Sequence, residues 1–209
     1  MEDFIEDPPL LFGKPVKLKL SESYLGDEIG SSVSESITLT INKRIGLAKK
    51  SIFEIKNIVE DCRSKVIGGL KTGLLLWEFC VIPFLLFNCS TWLQMKQSDL
   101  DRLSKLQNLF LSTLLQVQKS SVFSLHWELG VLLVPLRILK EKLILYHHIS
   151  CLPANSLSLK ILQTQERMNW PSLRDEVKTF LNEFEVIDVN KFTKRGWKSF
   201  VSAKILQKN

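Results

Sequence analysis

The sequence predicts a mainly α-helical bundle with a short β-hairpin near its N-terminus. Three observations lead there. Apolar residues recur at helical spacing over most of the chain, and strand-like alternation is confined to one stretch near the start. Seven prolines and nine glycines in 209 residues leave room for long helices. With 45% hydrophobic and 24% charged residues, the chain has a globular composition and can bury a sizeable core, in one domain or two small ones.

Residues 1–12 are acidic and contain Pro8 and Pro9, a loose leader. Between Phe12 and Ile29, Val16, Leu18 and Leu20 alternate with Lys17 and Lys19, the pattern of a half-buried strand. Tyr24-Leu25-Gly26 then begins a second strand or closes a hairpin, which is marginal unless it packs on something. A long helix is expected from Ser34 to Asp61, because Ile37, Ile41, Ile45, Ala48, Ile52, Ile55 and Val59 step by three and four. Lys43 and Lys50 fall opposite that stripe, and Lys49 and Lys56 flank it. Leu39, Leu47, Phe53 and Ile58 lie off the stripe, so the helix needs more than one partner surface.

The most hydrophobic run is Leu74 to Phe87. A membrane span takes about 20 apolar residues. This run is shorter and contains Glu78 and Pro83, so a fully buried core helix, kinked or broken near Pro83, is expected. Ser98 with Asp101 resembles a capping box for the next helix, whose apolar face is Leu100, Leu103, Leu106, Leu109/Phe110, Leu114 and Val117. Pro135 opens a helix to about His148, with Leu136, Leu139, Leu143 and Tyr146 in phase. Shorter helices follow at Ser156–Met168, Ser172–Phe184 and Thr193–Leu206. Three segments result: 1–30, leader and hairpin; 31–152, helical bundle; 153–209, C-terminal helical extension.

The net charge is +6, yet residues 1–30 carry seven acids against three lysines, so the remainder carries +10. A basic body suits nucleic acid or an anionic surface. The start Met1-Glu2-Asp3 lacks a signal-peptide pattern, and Cys62, Cys80, Cys89 and Cys151 form no Cys-x-x-Cys pair, so an intracellular chain with free thiols is expected.

Catalytic and cofactor motifs are wanting. Adjacent His147 and His148 diverge by about 100° on a helix and cannot easily share an ion. Ser120, His126 and Glu128 have no nucleophile elbow, and Gly68-Gly69 with Gly73 lacks the Gly-Lys-Ser/Thr of a phosphate loop. Asp27-Glu28 supplies too few ligands for two-metal chemistry and is expected at a solvated turn. No cofactor and no metal are expected. The five tryptophans are dispersed as core or interface filler.

From Tyr24 onward the chain resembles the region C-terminal to the palm of non-LTR (LINE-like) retrotransposon reverse transcriptases. The likeness rests on three segments, spread over about residues 15–165. They are Tyr24-Leu25-Gly26-Asp27 leading to a helix with Lys43-Arg44-Ile45 and Ala48; Leu76-Trp77, Val81-Ile82-Pro83 and Leu85-Leu86 ending at Trp92; and Leu106-Gln107-Asn108-Leu109-Phe110, then Trp127-Glu128-Leu129-Gly130 before the Pro135 helix. The resemblance implies a primer-grip-like strand at Tyr24, Leu25 and Gly26, and a thumb that holds template–primer duplex by its backbone. Candidate phosphate contacts are Lys43, Arg44, Lys49, Lys50 and Lys56. The family's aromatic-Ala-Asp-Asp turn is absent, so no polymerase activity is expected, and a palm domain or partner chain is the missing neighbour. The alternatives are a helical interaction or scaffold protein that binds no nucleic acid, and a membrane-associated protein using residues 74–93.

Overall fold

The computed structural model describes residues 10–11, 14–15, 22–24, 26–62, 68–117 and 122–209. The fold is mainly α. Two small antiparallel ladders open it: β1 (Leu10–Leu11) pairs with β2 (Lys14–Pro15), and β3 (Glu22–Tyr24) pairs with β4 (Asp27–Ile29). The second ladder is a hairpin near the N-terminus, closed by the Tyr24↔Asp27 pair, with Tyr24 ending its first strand. Gly26 turns it at φ +87°, a conformation costly for residues with a Cβ. The expected strand at Val16, Leu18 and Leu20, and all but Leu10 and Leu11 of the leader, lie outside the described residues.

Helix α1 (Val33–Cys62) follows, and all seven residues of its predicted stripe are buried. Its start is satisfied locally: Glu35 N–H donates to Ser32 Oγ at 3.2 Å, and the Glu35 carboxylate accepts from Ser31 N–H at 2.9 Å. Antiparallel to α1 runs one helical path made of α2 (Gly68–Leu76), a π-helical turn at Trp77–Val81, and α3 (Ile82–Leu85). Pro83 explains the wide turn. It has no N–H to donate, and its ring would press on the carbonyl four residues back; bonding Ile82 N–H to Trp77 O, five residues back, opens the turn there. Gly73 admits α1 and the next helix at close range, since a Cβ there would collide with Leu114 and crowd Val59.

Two sequence expectations need correction here. The 74–87 run is distorted next to Pro83, as expected, but it is not fully buried. Trp77, Val81 and Leu85 are inside, while Leu75, Phe79, Pro83 and Phe87 lie exposed at four-residue intervals. By length and composition Gly68–Leu85 could cross a membrane, although core helices of soluble proteins pass the same test. Glu78, near its middle, forms an ion pair with Arg137 through two bonds of 2.5 and 2.8 Å. Secondly, α4 (Gln97–Leu115) starts before Ser98, with Lys96 at its N-cap and no side-chain cap. Asp99 is what matters there: it is buried, accepts Thr38 Oγ1 at 2.7 Å, and ties α4 to α1.

Then come α5 (Val122–Leu129), which the periodicity did not mark, and α6 (Val134–Ser150), with Pro135 in its first turn. Helices α7 (Leu157–Arg167), α8 (Leu173–Glu183) and α9 (Lys194–Lys208) start after Ser156, Ser172 and Thr193, as expected. Ser172 and Asp175 form a full capping box, and Thr193 Oγ1 accepts from Gly196 N–H.

The apolar interior is two clusters. The first joins α1 to the α2–α3 path and α4, around Trp77, which stacks on Phe110 at 4.4 Å between ring centres. The second joins α6, α7, α8 and α9 around Trp197. Helix α6 serves both, giving Val134 and Ile138 to the first and Leu143 and Tyr146 to the second.

Candidate nucleic-acid interface

The hairpin is fixed to α1 by side chains. Glu28 N–H donates to Thr40 Oγ1 at 2.8 Å and Gly30 N–H to Ser36 Oγ at 2.8 Å. Arg44 provides the main latch. Its guanidinium, 5% exposed, pairs with Asp27 at 2.5 Å and donates to the Phe87 carbonyl. It also lies over the rings of Phe87 (5.6 Å) and Trp92 (5.3 Å), and Asn88 donates to the second Asp27 oxygen at 3.0 Å. Burial pulls the Arg44 pKa down while the Asp27 charge opposes that shift.

Asp27 and Glu28 therefore do not form the solvated acidic turn expected from the sequence. Glu28 accepts Lys43 Nζ at 2.5 Å, and Lys43 also reaches Ser23 Oγ at 2.8 Å. The hydrogen bond from Lys43, then that from Ser23, holds the Glu28 carboxyl below the usual carboxylate range.

This arrangement sorts the five candidate cations. Arg44 is spent inside the latch and is not placed to meet a phosphate. Lys43 is exposed but paired with Glu28, and Lys56 sits 3.7 Å from Glu60 one turn on. Lys49 and Lys50 are exposed and make no ion pair among the described residues. Of the primer-grip-like residues, Tyr24 closes the β3–β4 ladder, Gly26 makes the turn, and Leu25 lies outside the described residues. Beside the latch opens an apolar groove of about 510 Å³, lined by Gly26, Lys43, Leu47, Pro83, Phe84 and Phe87. Leu47, with Phe53 and Ile58 on the same helix, is exposed, as its place off the stripe led us to expect; Leu39 is half-buried.

Among the described residues the histidines and cysteines do not gather at one site. His126 is buried, with Nδ1 3.2 Å from the Val131 carbonyl and Nε2 3.0 Å from the Asn108 side-chain amide. A carbonyl can only accept, so Nδ1 donates to Val131; the atom that faces Nε2 is Asn108 Oδ1. Burial is the main cause of a lowered His126 pKa. At the end of α6, Cys151 Sγ touches His147 Nε2 (3.6 Å) and Asn190 Oδ1 (3.4 Å), the residue types of a thiol-protease triad. The geometry is wrong for one: His147 Nε2 faces the Phe192 carbonyl at 3.0 Å, so it holds a proton and cannot take the thiol's. His148 is exposed. Cys80, Cys89 and Cys151 are free thiols, and burial pushes the Cys89 pKa up to about 12, which leaves it inert. Among the described residues no three His, Cys, Asp or Glu side chains converge as metal ligands.

Sequence reasoning missed the most basic element. Helix α9 holds Lys194, Arg195, Lys198, Lys204 and Lys208 with no acid. The signal was available as a local count of charge. No family model, no curated protein and no solved structure matches the chain.

Proposed function

We propose that this chain is a non-catalytic, thumb-like module of the reverse-transcriptase kind, which holds template–primer nucleic acid through its phosphate backbone beside a catalytic neighbour. The observation that carries the reading is the latch. The Tyr24–Asp27 turn that begins the resemblance is pinned by Arg44 onto the long helix that continues it, next to an apolar groove. Lys49 and Lys50 are the cations on that helix that make no ion pair among the described residues. Contacts of this type give affinity without sequence preference and weaken steeply with salt.

The test is fluorescence anisotropy of a labelled primer–template duplex at rising salt. Expected are weak binding at low salt, a steep fall as salt rises, and no primer extension by the chain alone. Absence of binding at low salt, or unaided extension, would refute the reading.

A second reading, a helical interaction protein without nucleic-acid contact, is favoured by the bare side chains of Leu47, Phe79 and Phe87. Substituting Lys49 and Lys50 by glutamate separates the two, because partner binding would survive where duplex binding weakens.

A further inference from the structure

From the distribution of charge we infer that the exposed face of α9, with Lys191 just before it, is the principal surface on which this protein holds a nucleic-acid backbone. The inference rests on the reading above as a nucleic-acid-binding module and moves the main contact away from α1.

Residues 31–209 carry +10, and +6 of it falls in the last 21 residues. Between Val189 and Asn209 there are six cations and no acid; α1 has five cations against four acids, and α8 two against three. Pairing sharpens the contrast. Three of the five α1 cations are bound to Asp27, Glu28 or Glu60. Lys191, Lys194, Arg195 and Lys198 are exposed and form no ion pair among the described residues. Only the far end of α9 is tied down: Lys208 pairs with Glu183, and Lys204 lies over the Phe184 ring.

The free cations stand on a rigid support. Trp197, Val201 and Ile205 are buried, and the Trp197 indole donates to the Leu143 carbonyl of α6 at 2.9 Å. Lys194 and Lys198 are about 6 Å apart along the helix axis. They line one wall of a groove of about 290 Å³ between α9 and α6, whose other residues include His148 and, at one side, Glu141. The charges also crowd the first turns of α9, where the helix dipole is already positive and the helix itself holds no acid. Side chains and backbone therefore act on an anion in the same sense.

A membrane surface fits this helix less well than a phosphate chain. A helix that lies on lipid buries its own apolar face there, and the apolar face of α9 is already inside the second core. A string of Lys and Arg on a segment that holds no Asp or Glu of its own suits repeated phosphates.

The experiment uses the full chain and a labelled RNA–DNA duplex, followed by anisotropy between about 50 and 200 mM salt. Three proteins are compared: wild type, Lys191→Gln/Lys194→Gln/Arg195→Gln/Lys198→Gln, and Lys49→Gln/Lys50→Gln, each checked for an unchanged circular dichroism melt. Lys204 and Lys208 are left alone because they hold α8. If all four side chains meet phosphates, they account for a change in wild-type affinity on the order of a hundredfold over that salt range. The α9 variant should lose this dependence and bind far more weakly at low salt, while the α1 variant changes severalfold. Binding by the α9 variant equal to wild type, with loss in the α1 variant, overturns the inference and leaves the proposed function standing. Failure of the wild type to bind duplex overturns both. Vesicles of phosphatidylcholine and phosphatidylserine form the last arm: capture by vesicles in preference to duplex, abolished in the α9 variant, overturns the nucleic-acid assignment in favour of a lipid surface.

Discussion

Two tryptophans occupy equivalent positions in the two cores and are treated differently. Trp77 and Trp197 are both essentially inaccessible. The Trp197 indole N–H donates to a backbone carbonyl and its ring is flanked by His147, Phe192 and Phe200. The Trp77 ring stacks on Phe110, yet its N–H is the only buried side-chain nitrogen or oxygen among the described residues without a partner. Trp77 is also the first residue of the π-helical turn that accommodates Pro83. The backbone irregularity and the polar deficit thus fall on one residue, whereas the second core combines regular helices, α8 and α9 of them side-chain capped, with a satisfied indole. An unpaired buried N–H costs about 1–3 kcal/mol.

Replacing each tryptophan by phenylalanine tests that contrast most severely. Trp197→Phe should lose about 2–4 kcal/mol by urea denaturation, from the missing hydrogen bond and the smaller ring. Trp77→Phe should stay within about 1 kcal/mol of wild type, because removing the unpaired donor offsets the lost volume. Equal losses would erase the distinction.

Next in size is the Arg44 latch of the first core. Asp27→Ala leaves a buried guanidinium without its carboxylate and should cost about 2 kcal/mol, less than a fully buried pair because Asp27 is partly exposed. Adding Arg44→Met should recover much of that loss; if it deepens the loss instead, Arg44 acts chiefly through the Phe87 carbonyl and the rings.

Helix capping distinguishes α8 from α4 by about 1 kcal/mol. Ser172→Ala should cost that much in thermal stability, while Ser98→Ala, in the helix without a side-chain cap, should change it by less than about 0.5 kcal/mol.

The smallest effect concerns pH. His126 is held neutral by burial, so its folded pKa lies below the ordinary 6.5. As pH falls through that value the unfolded chain binds a proton that the folded chain refuses, and stability declines until the lower folded pKa is reached. Denaturation midpoints should therefore drop on acidification below the ordinary histidine value, and His126→Gln should flatten the decline. A profile that is unchanged in the variant would assign the proton uptake elsewhere.

Much of the fold could be read from residue spacing, since the seven-residue stripe of α1 and the three C-terminal helices follow from periodicity and their Ser or Thr starts. What could not be read depends on distant partners. Arg44 lies at a cation-rich stretch of a helix and its burial is set by Asp27, 17 residues earlier, and Phe87, 43 later. Asp99 likewise looks like a surface acid until Thr38 is brought to it. The bare ridge at Leu75, Phe79 and Phe87 followed from neither hydrophobicity nor length, because a strongly apolar run says how much is buried and not on which side. The concentration of charge on α9 was legible, but only to a count made segment by segment.

Helix α6 belongs to both cores, and this has a mechanical meaning. Its first turns are packed among α4 and the α2–α3 path, and its later turns among α8 and α9. Neither half of the molecule can melt without stripping one side of the same rod. Heat should therefore produce a single calorimetric peak, and a protease nick beyond Ser150 would release no piece able to stand alone.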